Sequence, residues 1–143
     1  MPQPFKSLKE LLAYAEKQAN SVLKKETAET VVRTMQDKIQ EEIYDVYEPK
    51  VYERQGYSGG LIDRDNIEVE VLGDNRISVE NIRFDGDREV AEIVETGLGY
   101  QYSFPYAGKP RPFTEATRVD LASSDKLKES MKQGLFKRGI KTE

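Results

Sequence analysis

Apolar residues along the first third of the chain recur at helical spacing. Leu8, Leu11, Leu12, Ala15, Ala19, Val22 and Leu23 form one series, and Ala28, Val32, Met35, Ile39, Ile43 and Val46 continue it. Steps of three and four residues are the signature of an amphipathic helix. Ser7-Leu8-Lys9-Glu10 has the form of a capping box, with Ser7 as N-cap and Glu10 at the third helical position. No Gly or Pro interrupts residues 5–48. Pro49 ends the run, because the residue before a proline is pushed out of the α region. A helix over 8–46 would extend ~57 Å. The pattern therefore predicts one long helix or two consecutive ones, with Asn20-Ser21 or Glu26-Thr27 as the place of a break.

The pattern then changes twice. Residues 44–66 hold Tyr44, Tyr47, Tyr52 and Tyr57 among Gly56, Gly59 and Gly60, and read as a long aromatic loop. After it, Ile67, Val69 and Val71 alternate with Glu68 and Glu70. A turn at Gly73-Asp74-Asn75 leads to Ile77 and Val79, alternating with Ser78 and Glu80. This is a hairpin with one apolar and one charged face. Glu68, Glu70 and Glu80 are expected on a wet surface. Residues 89–95 predict a helical turn or a short strand. Tyr100, Tyr102 and Phe104 alternate with Gln101 and Ser103 and predict a strand ending at Pro105. A last helix is expected over about 113–135, ended by Gly134 or Gly139, with 136–143 a basic, mobile tail. The whole predicts one α+β domain, 1–143. It has a long N-terminal helix, a small antiparallel sheet of three to four strands, and a C-terminal helix.

Composition narrows the chemistry. The 143 residues contain 34% charged and 37% hydrophobic side chains, with a net charge of −4. An acidic balance argues against a general nucleic-acid binder, which carries a basic footprint. There is no Cys and no His. That removes thiolate chemistry, disulfides, the usual general base and the commonest metal ligand. No run approaches the ~18 apolar residues of a membrane span, and the N-terminus lacks an apolar signal core.

Individual motifs are weak. Asp63-Arg64-Asp65-Asn66 opens like a calcium loop but lacks the glycine at its sixth position. Glu48-Pro49-Lys50 has a nuclease-like spacing on the wrong kind of element. Gly56-Tyr57-Ser58-Gly59-Gly60 lacks the lysine of a phosphate loop. No enzyme activity, metal or cofactor is expected.

One segment looks nameable. Val94-Glu95-Thr96-Gly97 is followed by an aromatic stretch and then by Lys109-Pro110-Arg111-Pro112-Phe113 at the start of the last helix. Upstream, Tyr52-Glu53-Arg54 and Gly60-Leu61-Ile62 precede the first strand. In this order the motifs resemble the tail-completion or neck proteins that join head to tail in long-tailed bacteriophages. The resemblance implies a virion structural protein, assembled in the bacterial host cytoplasm as a homo-oligomeric ring. Its neighbours would be portal-side connector proteins and tail proteins, with DNA passing through unspecifically and no membrane involved. Interface candidates are Tyr52, Arg54, Tyr57, Glu95, Tyr106, Arg111 and Phe113. Arg111, held between prolines, is placed to meet a neighbour's carboxylate. The alternatives are an acidic adaptor or inhibitor protein of a mobile element and a metal-dependent nuclease.

Overall fold

A computed structural model describes residues 5–49, 56 and 58–142. The fold is α+β. Helix α1 spans Leu8–Val22 and α2 spans Ala28–Ile39. Between them Leu23–Thr27 forms a π-helical turn, and a second π turn, Gln40–Tyr44, follows α2. The backbone stays helical throughout, so this is one rod of roughly 55 Å. The capping reading holds: Ser7 accepts from the Glu10 amide at 3.1 Å. The Glu10 carboxylate reaches back to the Lys6 amide at 3.2 Å, one residue earlier than in a standard box.

The predicted break points have other uses. The Asn20 side chain accepts from the Asn75 amide at 2.8 Å and pins the tip of the hairpin. Glu26 and Ser21 both bond Arg138, near the end of the chain. The π turn brings Thr27 under cover, where its hydroxyl meets Ser130 at 3.1 Å. On either side of it the rod packs on different helices, α1 on the helix Lys126–Lys137 and α2 mainly on the helix Phe113–Ser123.

Strands β1 (Ile67–Gly73) and β2 (Arg76–Asn81) pair antiparallel, with Val69 opposite Val79 and Glu68 opposite Glu80. Asn75 takes the positive φ of 68° that the tight turn demands. A second, two-residue ribbon joins β3 (Phe84–Asp85) and β4 (Arg88–Glu89). The four strands thus form two separate ribbons. Residues 100–104, expected as a strand, are irregular. Their alternating aromatics pack on one another instead of on a ladder.

Helix α3 (Val90–Thr96) directly follows β4, so residues 89–95 are strand end and helix together. The C-terminal helix is two helices, α4 (Phe113–Ser123) and α5 (Lys126–Lys137). Ser124 has extended dihedrals and breaks the run, a role that Ser and Asp favour. Gly134 lies inside α5. Termination falls to Gly139, at φ 83°, with Ile140 N–H bonding back to Leu135 C=O at 2.9 Å. The expected mobile tail is therefore tied down as far as Ile140.

The core gathers Val32, Met35, Ile39 and Ile43 from the rod with Ile67, Val94 and Phe113. Leu61 and Ile62 complete it from inside the predicted loop. Side-chain amides hold that stretch. Gln36 donates to Ile62 C=O at 2.8 Å, Asn81 to Leu61 C=O at 2.8 Å, and Asn66 to Gly60 C=O at 2.8 Å. No helix among the described residues is long and apolar enough to cross a membrane.

Candidate functional site

The site is built around the loop 97–112. Its base is closed by α3. Gly97 caps that helix with φ 77°, and its amide bonds Ile93 C=O at 2.8 Å. The returning chain then presses against it: Gly108 N–H meets Gly97 C=O at 2.7 Å, and Arg111 N–H meets Val94 C=O at 3.1 Å. A Cβ on Gly97 would sit 2.5 Å from the Lys109 carbonyl. Glycine is required here both for the left-handed backbone and for the close approach.

The exit of the loop is fixed by Glu95. Its two oxygens accept from the amides of Thr114 at 2.9 Å and Glu115 at 3.2 Å. These are the unpaired first-turn donors of α4, where Pro112 at the N-cap has no capping side chain. A carboxylate there also favours the helix dipole. Phe113, fully buried, drives the first turn of α4 into the core.

Inside the loop, aromatic rings stack edge to face. Tyr100 and Phe104 lie 4.6 Å apart between centroids, and Tyr47 from beyond the rod lies 5.3 Å from Phe104 and 5.9 Å from Tyr106. The Arg111 guanidinium sits over Tyr106 at 4.8 Å and Phe104 at 5.7 Å, and donates to the Tyr100 hydroxyl at 2.9 Å. Cation–π contacts of this kind contribute about 0.5–2 kcal/mol. Arg111 is only 7% exposed. Its Nε has no hydrogen-bond partner, and no carboxylate lies within ion-pair distance among the described residues.

A cleft of about 330 Å³ opens beside this cluster, between the end of the rod, the β3–β4 ribbon and the loop. Arg83, Arg88 and Arg111 line it together with Tyr47, Tyr100 and Tyr102. Arg88 donates to Gly99 C=O at 3.3 Å and, like Arg111, has no ion-pair partner among the described residues.

Of the interface candidates, Glu95, Tyr106, Arg111 and Phe113 come together in this one elbow. Glu95 caps a helix, Phe113 is core, and Tyr106 bonds Val46 C=O at 3.4 Å. Their visible duties are within the chain. Tyr52, Arg54 and Tyr57 lie outside the described residues. Arg83 and Arg88 carry no signal in the sequence, and Tyr100 reads there as part of a strand, because only the fold brings the β3–β4 ribbon to the aromatic loop. Asp63, the calcium-like position, uses its carboxylate on the backbone: Gly59 N–H donates at 2.6 Å and Asp65 N–H at 2.9 Å. Among the described residues no three His, Cys, Asp or Glu side chains are grouped to hold a metal.

A second anchored region lies at the far end of α5. Arg138 bonds both Glu26 oxygens, at 3.0 and 2.9 Å, and the Gly134 carbonyl at 2.9 Å. Burial pushes the Glu26 carboxyl up, but the Arg138 hydrogen bonds and charge outweigh it and hold it below the usual range. Asp120 is held low by the hydrogen bond from Lys126 at 2.6 Å, and Lys38 adds to the effect from α2 at 3.6 Å. These contacts tie α4 and α5 to the rod, and at its N-terminal end Leu8, Leu11 and Leu12 are exposed.

Fold and site together define an α+β protein with a cleft lined by arginines and aromatics and an exposed apolar helix end. The chain belongs to the YomN family, whose sequence model matches residues 7–137. It is 33% identical over 144 residues to the SPbeta prophage-derived uncharacterized protein YomN of Bacillus subtilis (strain 168). That match covers 96% of this chain and 99% of the relative. No solved structure matches it.

Proposed function

We propose that the chain is a structural subunit of a phage or prophage particle, acting by contact and not by catalysis. In this reading it joins head to tail as one member of a self-associated ring. The observation that carries the reading is the N-terminal end of α1. Among the described residues its apolar stripe is left exposed, at 70% for Leu8, 42% for Leu11 and 58% for Leu12. A helix face of this kind is stable in water only at a cost that a neighbouring subunit would remove. The prophage origin of the similar protein supports the setting. The order of the Glu95, Gly97 and Arg111-Pro112-Phe113 motifs supports the joining role.

The test is genetic. The gene is deleted from an inducible lysogen that carries it, and the lysate is counted by negative-stain electron microscopy. DNA-filled heads and finished tails should accumulate unjoined, and a plasmid copy should restore whole particles. Normal numbers of joined, infectious particles without the gene would refute the assignment.

A further inference from the structure

We propose that the Arg88–Arg111 cleft is a receptor for an acidic peptide segment, taking one carboxylate between the two guanidinium groups with an apolar side chain against Tyr100 and Tyr102. The assignment is independent of the head–tail reading and rests on three observations.

Among the described residues, Arg111 is a buried cation with no anion at ion-pair distance. Rings on one side and a tyrosine hydroxyl stabilise it in part. Of its five N–H donors, one hydrogen bond is made among the described residues, and Nε is left without an acceptor. Buried guanidinium groups are ordinarily paired, and a planar fork is matched by a carboxylate.

Arg88 lines the same cleft, half-buried, and among the described residues its side chain makes a single weak bond, to a backbone carbonyl. Two unpaired guanidinium groups on one small cleft give it a positive wall in a chain of net charge −4. The cleft volume, about 330 Å³, lies at the small end of ligand-sized sites. Apart from Arg83 and Asp85, its remaining walls are mostly aromatic and apolar, including Tyr100, Tyr102, Val90 and Ile93. That suits a side chain better than a polyphosphate.

The surroundings select the charge of the ligand. Asp85 lines the cleft, and Glu89 and Glu92 stand at the start of α3 beside it. Glu92, by hydrogen bond and by charge, holds the Glu89 carboxyl above its usual range. A dianionic phosphate would meet this acidic rim, whereas a single carboxylate satisfies the arginines with less repulsion.

The test uses the full chain, labelled with ¹⁵N, and the blocked peptide Glu-Phe-Glu-Phe-Glu as probe. Inorganic phosphate and adenosine monophosphate are titrated in parallel. The peptide should shift the Arg88 and Arg111 side-chain Nε–H signals and the Tyr100 and Tyr102 amides. Arg88→Gln should weaken binding at least tenfold, and Arg88→Lys should recover part of it. Arg118→Gln, on the outer face of α4, should bind as the unaltered chain does. Arg88 has one backbone bond to lose, so its variant tests the site even where Arg111→Gln fails to fold. No shift at these residues with millimolar peptide, or unaltered binding by Arg88→Gln, would overturn the proposal. Stronger shifts at the same residues with phosphate or the nucleotide would also overturn it.

Discussion

Replacing Gly134 by alanine sets helix propensity against packing, and the structure says which wins. Gly134 is in the third turn of α5, where alanine is intrinsically favoured by about 0.8–1.0 kcal/mol. A Cβ there would run into Val22 Cγ1, and would lie 3.0 Å from Val22 Cγ2 and from Glu26 Oε2. Val22 is fully buried, and Glu26 is held by Arg138, so neither can step aside freely. Overpacking of this kind costs about 1–3 kcal/mol. The severity of the Val22 Cγ1 clash puts the cost in the upper part of that range, so after the propensity gain the expected net loss is about 1–2 kcal/mol. For a chain of this size that lowers Tm by roughly 3–7 °C. Urea and thermal unfolding of Gly134→Ala, Val22→Ala and the double variant form the assay. The alanine at 134 should cost little, or stabilise, once Val22 is shortened, because the two sites share one contact. A raised Tm for Gly134→Ala in the unaltered chain would refute the close packing of α5 on the rod. An equal cost in both backgrounds would refute it too.

Three further outcomes are expected. Glu95→Ala removes the cap of α4 and should destabilise by about 0.5–2 kcal/mol in urea unfolding, with Glu95→Gln losing less. Glu26 has a folded pKa below its ordinary value of about 4.3. Its contribution is therefore complete above that value and lost as pH falls through the folded pKa. Unfolding measured across the acid range should show a shallower loss in Arg138→Gln than in the unaltered chain, from a lower starting stability near neutrality. Combined Leu8→Ser, Leu11→Ser and Leu12→Ser changes should abolish self-association in light scattering. Tm should move little, since exposed substitutions lie mostly within about 0.5 kcal/mol each.

Much of the architecture was legible because local rules and global packing agree. The apolar period of the rod, the Ser7 cap and the alternation of 67–71 with 77–80 all act within a few residues. Where the reading failed, the deciding contact was distant. Asn20 and Glu26 look like helix breakers until Asn75 and Arg138 arrive as partners. Leu61 and Ile62 sit in a Gly- and Tyr-rich stretch, and only Gln36 and Asn81 reveal that it folds inward. Tyr100, Tyr102 and Phe104 have strand periodicity, yet their rings pair with one another and with Tyr47, so no ladder forms. Ser123-Ser124-Asp125 carried a readable stop signal that the apolar series across it hid. The elbow at Glu95, Gly97 and Phe113 was visible as a motif. Its chemistry was not, because the arginine cleft needs the β3–β4 ribbon, which two-residue strands scarcely mark in sequence.

The claim of a structural role is tested most directly in the particle itself. Particles from an induced lysogen, purified by density gradient, are digested and their proteins counted by quantitative mass spectrometry. The account predicts this chain at a fixed, multiple copy number relative to the major head protein, retained after salt washing. Particles that are infectious and contain none of it would contradict the account.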